Sequence, residues 1–188
     1  CLAIKPDLVF LWDEAWFAFA RFGPTYRQRT GMHAASQLRE KLRTPQYAKL
    51  YEKQQAKLKD ADDETLLKTR LLPPPNSRIR VYSTQSTHKT LTSLRQGSMI
   101  HVNDQDFKGE VEQSFHEAYM THTSTSPNYQ IIASLDVGRR QVELEGFEFV
   151  QRQVEAAMSM RRAISTHPLL KKYFKVLTSG DMIPEIHR

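Results

Sequence analysis

The sequence has almost no cysteine, no long apolar run and none of several common site motifs, and each absence excludes a class of protein. Cys1 is the only cysteine among 188 residues, which excludes an internal disulfide and fits a reducing cytosol. No stretch approaches about 18 uninterrupted apolar residues, and no basic-then-apolar signal opens the chain. The sequence therefore predicts a cytoplasmic protein with no membrane span and no membrane partner.

Motifs for metals and nucleotides are missing as well. The chain has no C-x-x-C or H-E-x-x-H, no G-x-G-x-x-G and no G-x-x-x-x-G-K, so we expect neither a metal site nor a dinucleotide or P-loop site. A Ser-His-Asp triad can be assembled on paper from Ser86, His88 and Asp13. No nucleophile elbow frames the serine, which argues against a hydrolase of that kind.

The composition is that of an ordinary globular domain, with 39% hydrophobic and 26% charged residues. The net charge of +6 comes from 27 basic and 21 acidic residues that are mixed along the chain. This mixing indicates a solvated surface with a bias toward anionic ligands such as a phosphate, and no nucleic-acid partner. Because the chain opens at Cys1 within an apolar pattern, we expect it to be part of a longer protein.

Three short apolar or β-type runs predict strands. The continuous run Leu8–Trp12 is typical of a strand buried on both faces of a parallel sheet, and Ile79–Tyr82 and Ser98–Val102 are the other two. Helical patterns occupy most of the remaining chain. We therefore expect an α/β fold with a mostly parallel sheet flanked by helices.

The segment of residues 31–76 is polar and rich in helix formers. Thr44-Pro45 should divide it into two helices, Asp60–Thr65 should cap a third, and the three prolines at 73–75 should form an extended linker. No catalytic set is present in this segment. An oligomer contact, a lid over a site and a surface excursion all remain open as its role.

The second half of the chain predicts helices. These cover residues 111–119, 128 to about 144, and 147–165, with Gly146 as a break and His167-Pro168 as a stop. Residues 169–188 should then lead out toward a further, smaller domain.

The ten residues from Gln85 to Leu94 are the most informative stretch for function. They place Lys89 in a Ser/Thr-rich loop between two predicted strands. An amine held rigidly among hydroxyls and an imidazole can act as a covalent catalyst of the Schiff-base kind. The alternative is a solvated lysine in a polar turn.

Three motifs together carry a family resemblance. They are the Ser-Thr-His-Lys sequence that ends at Lys89, then Gln96-x-Ser98-Met99-Ile100-His101-Val102, then Glu117-Ala118-Tyr119-Met120-x-His122-Thr123-x-Thr125-Ser126-Pro127-x-Tyr129. From about Pro6 to Val137 the chain resembles the major domain of the bacterial ornithine/lysine/arginine decarboxylases, interrupted by the long insertion at about 31–76. Those are pyridoxal-phosphate enzymes of fold type I. The resemblance implies that residues 1–188 are the C-terminal part of such a domain.

The resemblance also implies roles for individual residues. Lys89 would carry the internal aldimine of pyridoxal 5′-phosphate, and Asp13 would pair with the protonated ring nitrogen. Lys89, Asp13 and His88 would be the catalytic residues. The cofactor-binding set would be Lys89, Asp13, Ala15, Trp16, Ser86, His88 and Ser124.

Alternatives stay open for several of these residues. Asp13 could cap a helix, Trp16 could fill core, and His88 could be a hydrogen-bonded structural histidine. Ser124 stands where familiar members carry threonine, in a segment that reaches the partner subunit's cofactor phosphate. It could also act as a plain N-cap.

The implied function is decarboxylation of lysine, ornithine or arginine to its amine by a homodimer or higher homo-oligomer with the site at the subunit interface. An aminotransferase or aldolase of the same fold is the first alternative. A catalytically inactive fragment or scaffold is the second. We expect residues 1–188 alone to be inactive, because the upstream phosphate loop and the residue that stacks on the ring are not among them.

Overall fold

The computed structural model describes residues 1–185. The last three residues of the predicted lead-out, 186–188, lie outside the described residues. The strands are β1 (Val9–Asp13), β2 (Arg80–Ser86) and β3 (Ser98–Asp104). The helices are α1 (Gly31–Leu42), α2 (Pro45–Leu58), α3 (Asp63–Lys68), α4 (Glu112–His122), α5 (Tyr129–Thr166), α6 (Leu170–Tyr173) and α7 (Ser179–Met182). Short 3-10 helices occupy Ala18–Phe22 and Tyr26–Arg29, and a π-helical turn, Phe107–Val111, precedes α4.

The strands form a three-stranded sheet in the order β1-β2-β3. β1 and β2 are parallel, with Asp13 opposite Thr84, whereas β2 and β3 are antiparallel, with Ser86 opposite Ser98. The α/β class is confirmed, but the sheet is mixed rather than mostly parallel. The loop between β2 and β3 is too short for the helical crossover that a second parallel pairing would need.

Helices α2 and α3 begin at the predicted caps, and α1 begins at a further cap, Thr30, that was not predicted. The Thr30 hydroxyl accepts from the His33 amide, the Thr44 hydroxyl from Tyr47, and the Asp62 carboxylate from Thr65. Pro45 occupies the first turn of α2, where its missing amide leaves no hydrogen bond unmade. The predicted division of the segment at Thr44-Pro45 is therefore confirmed.

One face of the sheet carries the main core. Ile79 and Val81 of the β2 region pack with Ala35 and Leu42 of α1 and with Tyr47 of α2. The first two helices of the 31–76 segment are thus a structural layer of this domain. A surface excursion, one of the roles left open above, does not describe them.

The other face of β1 is open. Leu11 is 74% exposed and Val9 45%, whereas Phe10 on the opposite face packs against the core. The prediction of a strand buried on both faces is therefore wrong within residues 1–185. Helices α1 and α2 cover only the face toward which Phe10 points.

Helix α5 is one uninterrupted element of 38 residues, so the predicted break at Gly146 is wrong. A Cβ at Gly146 would lie 2.6 Å from the ring of Phe22, and one at Gly138 would lie 3.1 Å from the Thr92 hydroxyl. These glycines permit close packing on the helix surface instead of ending the helix. Within residues 1–185, no helix combines the length and apolar character that a membrane span requires.

Candidate functional site

The ends of β1 and β2 run side by side and continue together beyond the sheet. The Glu14 amide donates to the Thr84 carbonyl at 2.9 Å, and the Ser86 amide donates to the Ala15 carbonyl at 3.3 Å. The chain after Asp13 and the chain before Lys89 are therefore joined by backbone hydrogen bonds. In a parallel pair, this carboxyl edge is where ligands bind in open α/β sheets.

Asp13 lies at the last position of β1 with its side chain exposed. Its Oδ1 accepts a hydrogen bond from the Ala15 amide at 3.0 Å, which orients the carboxylate. The pairing of Asp13 with Thr84 puts Asp13, Thr84 and Ser86 on one face of the sheet, because side chains alternate along a strand. Ser86 is buried, and its hydroxyl makes no hydrogen bond to another described residue.

Lys89 lies three positions beyond the end of β2 and is exposed. Its Nζ is 5.2 Å from the centroid of the Trp16 ring, a cation–π contact, and Trp16 itself is 67% exposed. Lys89 also lines a cavity of about 450 Å³. The walls of the cavity are mostly apolar and aromatic. The two 3-10 helices contribute Phe19 and Tyr26, and α5 contributes Phe149, Val150 and Gln153.

The loop of residues 87–97 is closed by hydrogen bonds to one carbonyl. The Thr87 amide and the His88 ring both reach the Gly97 oxygen, at 3.2 Å and 3.0 Å. Since a carbonyl only accepts, His88 Nδ1 carries the proton. A Cβ at Gly97 would lie 2.5 Å from the Thr87 hydroxyl, so only glycine fits there. This bond is of the kind that a structural histidine makes, and it leaves the other ring nitrogen of His88 without a hydrogen bond to residues 1–185.

Three hydroxyls in the same loop are buried without a hydrogen-bond partner among the described residues. They belong to Thr87, Thr90 and Ser93. Thr90 also lines the cavity that contains Lys89. A buried hydroxyl without a partner is costly, which makes these groups candidates to bind a polar ligand. Thr90 and Ser93 were not on the predicted list, although the density of Ser and Thr around Lys89 was the signal for them.

Ser124 is exposed in the turn between α4 and α5, and its hydroxyl bonds only within that turn, to Ser126. Asn128, not Ser124, caps α5, because its side chain accepts from the amides of Gln130 and Ile131. The plain N-cap role for Ser124 is therefore excluded. α5 itself contacts the Lys89 loop, where the Leu94 amide donates to Ser134 and the Thr92 hydroxyl to the Gly138 carbonyl.

The sequence reasoning missed a buried carboxylate directly behind the site. Glu14 is 4% exposed, and its two oxygens accept from the Gly31 amide at 2.6 Å and from the Gln85 side-chain amide at 2.8 Å. The side-chain oxygen of Gln85 lies 3.2 Å from His101 Nε2. Strand alternation was an available signal, because the residue after Asp13 must point to the opposite face.

A second polar cluster lies at the other end of β2. Asp104 accepts from Arg80 Nε at 3.2 Å, from the Tyr82 hydroxyl at 2.6 Å and from the Asp106 amide at 2.8 Å. Asp106 in turn pairs with Arg78 and Arg80. Burial raises the pKa of the Tyr82 hydroxyl to about 12, helped by the hydrogen bond to the Asp104 carboxylate.

Comparison with known proteins gives matches of one kind. The family model described as Orn/Lys/Arg decarboxylase, major domain, matches residues 72–182. The lysine decarboxylase LdcA of Pseudomonas aeruginosa is 34% identical over 158 residues, which are 84% of this chain and 16% of that protein. The biodegradative arginine decarboxylase of Escherichia coli is 29% identical over 155 residues, which are 81% of this chain and 15% of that protein.

Among solved structures, the constitutive lysine decarboxylase of Escherichia coli superposes with a TM-score of 0.52 at 25% identity, covering 89% of this chain and 17% of that one. The chain thus spans about a sixth of the length of the proteins that it matches. Similarity of fold and similarity of sequence point to the same group of proteins.

Proposed function

The chain belongs to the Orn/Lys/Arg decarboxylase family, and on that premise we propose that its protein decarboxylates a basic amino acid with pyridoxal 5′-phosphate. Residues 1–188 would be the C-terminal part of the cofactor-binding major domain, with residues 31–76 as a helical insertion and 169–188 leading to a smaller domain. The single observation that carries the proposal is the convergence of an amine and a carboxylate on one sheet edge. Lys89 and Asp13 are borne by two segments that hydrogen-bond to each other.

The side chains at this edge fit the cofactor by their chemistry. Pyridoxal phosphate has an aldehyde, a basic ring nitrogen and a phosphate. The edge offers an amine in Lys89, an exposed carboxylate in Asp13 and unpaired hydroxyls in Ser86 and Thr90. The indole of Trp16 lies next to the amine and can contact an aromatic ring.

Each residue would then have a defined task. Lys89 would attach the cofactor through its amine, and Asp13 would hold a proton on the ring nitrogen. Ala15 leaves room for the ring beside Trp16, while Ser86 and His88 would contact the phosphate region. Ser124, which is exposed, would reach the phosphate held by the partner subunit of a homodimer.

The cofactor supplies one piece of chemistry when bound: its cationic ring accepts the electron pair left at the α-carbon after carbon dioxide departs. Asp13 makes this possible by keeping the ring nitrogen protonated. A neutral residue at position 13 could not do so, because a carboxylate is needed to favour the cationic form.

The proposal is tested on the full-length protein with added pyridoxal phosphate. We expect a visible absorbance band, fixed by borohydride onto the peptide that contains Lys89, and carbon dioxide and amine release from lysine, ornithine or arginine. Lys89→Ala should abolish both the band and the labelling. The matched control is Lys68→Ala, because Lys68 is exposed and, within residues 1–185, pairs only with Glu64; it should change neither.

Two outcomes would replace the proposal. Amine transfer to a keto acid without release of carbon dioxide would identify an aminotransferase. A full-length protein that shows neither band nor labelling, and that is unchanged by Lys89→Ala, would be a scaffold without cofactor.

A further inference from the structure

The Glu14 carboxylate lies directly behind Asp13 and is not explained by the proposed chemistry. Asp13 and Glu14 are consecutive residues at the end of β1, so their side chains point to opposite faces of the sheet. Asp13 faces the open side, whereas Glu14 is buried against α1. A buried carboxylate persists only when hydrogen bonds satisfy it, and Glu14 has two.

The first of these bonds joins the site to the 31–76 segment. Gly31 is the first residue of α1, and its amide donates to Glu14 Oε1 at 2.6 Å. The amides at a helix N-terminus are unpaired within the helix and carry a partial positive charge that favours a carboxylate. The start of α1 is therefore attached to the residue next to Asp13.

The second bond joins the end of β1 to β2 and β3. Because a carboxylate only accepts, the NH₂ group of Gln85 must face Glu14 Oε2, as the distance of 2.8 Å shows. The Gln85 oxygen then faces His101, so His101 Nε2 must carry a proton to donate across 3.2 Å. Which group donates and which accepts, from His101 to Gln85 to Glu14, is therefore set by the Glu14 carboxylate, which can only accept.

We propose that Glu14 is a positioning residue: its carboxylate, held by Gly31 and Gln85, aligns the end of β1 with the end of β2 and so sets Asp13 relative to Lys89. This inference rests on the proposed function, since it concerns the alignment of groups that would hold pyridoxal phosphate. It also gives the 31–76 segment a task. α1 supplies the amide that fixes the strand carrying Asp13.

The test is an exchange of the two interacting side chains in the full-length protein. Glu14→Gln alone turns an NH₂ group toward either the Gly31 amide or the Gln85 amide. Either two donors then face each other there, or the Gln85 amide flips and its NH₂ group faces the proton on His101 Nε2. Gln85→Glu alone sets two carboxylates against each other. The double variant E14Q/Q85E restores every donor–acceptor pair: residue 14 accepts from Gly31 and donates to residue 85, which accepts from His101.

The readout is the affinity for pyridoxal phosphate, measured by titration of the visible band. When the hydrogen bonds around residue 14 are mispaired, the end of β1 can shift. Cofactor binding must then bring Asp13 back into line with Lys89, which lowers the affinity. We expect Glu14→Gln to weaken cofactor binding roughly tenfold. A loss of this size lies within the range of affinity that one unpaired buried donor costs. The double variant should recover to within about threefold of wild type, the non-additivity expected of residues in contact.

Tyr82→Phe is the matched control, because it also removes a hydrogen bond to a buried carboxylate on the same sheet, at the opposite end of β2. It should lower the melting temperature without changing the affinity for pyridoxal phosphate. Should Glu14→Gln fail to fold, Gln85→Met removes the amide and leaves the Gly31 bond in place. It should weaken cofactor binding by less than the Glu14 variant.

The outcomes separate this inference from the proposal on which it rests. A wild-type protein that does not bind pyridoxal phosphate contradicts the proposed function itself. If wild type binds and Glu14→Gln or Gln85→Met binds equally well, or if the double variant is no better than Glu14→Gln, the positioning role is wrong and Glu14 serves stability alone.

Discussion

The two ends of strand β2 are equally polar but differ in how far their polar groups are paired. At the end near Arg80, Asp104 accepts three hydrogen bonds and Asp106 contacts two arginines, and among the buried hydroxyls there Ser77 alone has no partner within residues 1–185. At the end near Ser86, Lys89 touches only the face of Trp16, and the hydroxyls of Thr87, Thr90 and Ser93 have no partner within residues 1–185. A saturated cluster stabilises a fold, whereas an unsaturated one is available to a ligand.

The same contrast holds for the carboxylates. Asp104 has a side chain with 0% exposure and is neutralised by Arg80, which suits a structural ion pair. Asp13 is exposed, with a single bond to a backbone amide. Glu14 lies between these two types, because it is buried like Asp104 but belongs to the end of the sheet that carries Asp13 and Lys89.

The largest expected effect comes from neutralising the exposed carboxylate. Asp13→Asn keeps the bond from the Ala15 amide but loses the charge, so decarboxylation by the full-length protein should fall roughly 100- to 1,000-fold. Steady-state rates with the preferred amino acid would measure this loss. Stability should change little, because the side chain is exposed.

Asp136→Asn controls for the loss of a carboxylate as such, since Asp136 is exposed on α5 and pairs only with Arg139. Its rate should match wild type. If Asp13→Asn were as active as wild type, the contrast between the two ends of β2 would be wrong.

The next effect concerns stability at the saturated end. Asp104→Asn leaves Arg80 without its closest carboxylate in a nearly buried setting, and should lower the free energy of unfolding by about 2–3 kcal/mol. Urea unfolding of the cofactor-free protein would measure it. The affinity for pyridoxal phosphate should stay at the wild-type value, and a loss of affinity would mean that the two ends are not independent.

A smaller effect tests how α5 is seated beside the Lys89 loop. Gly146→Ala places a methyl group 2.6 Å from the Phe22 ring, and the strain should exceed the gain in helix propensity by about 1–2 kcal/mol. Gly109→Ala is the matched control, since a Cβ there meets nothing within 4 Å. Thermal unfolding should separate the two variants, and equal melting temperatures would show that the α5 contact is not tight.

The smallest effect is a pH dependence at the saturated end. The pKa of Tyr82 is raised to about 12 in the fold, from the 10.0 that an unburied tyrosine has. The neutral hydroxyl is thus favoured by folding, so its contribution is complete below about pH 10 and is lost as pH rises toward 12. A pKa difference of this size corresponds to at most about 2.7 kcal/mol. Because Tyr82 is only partly buried, solvent screening reduces the expected extra loss of unfolding free energy, relative to Tyr82→Phe, to about 1 kcal/mol. Parallel losses would contradict the raised pKa.

Local signals in the sequence predicted the helix boundaries well, because capping and proline effects act within a few residues. Thr44 and Asp62 begin helices for reasons that are readable in the sequence. Gly146 misled the same reasoning. A glycine favours a break when nothing else is known, but here a distant ring, Phe22, requires its small size.

Among the candidate site residues, those in a linear motif could be predicted from the sequence, and those defined by packing could not. Lys89, His88 and Ser86 stand in one short motif, and Asp13 follows an apolar run. Glu14 carries no motif of its own. Its importance depends on Gly31 and Gln85, which approach it only when α1 and β2 are in place.

The sequence by itself determined the family and most helix starts, and it led to the proposal of Lys89 and Asp13 as site residues, because each of these depends on local motifs. Only the tertiary structure decided that the 31–76 segment covers the sheet, that α5 is continuous, and that one end of β2 is saturated while the other is open. Those properties depend on which side chains meet across long separations in the chain, and hydrogen-bond partners at such distances are fixed by packing rather than by local preference.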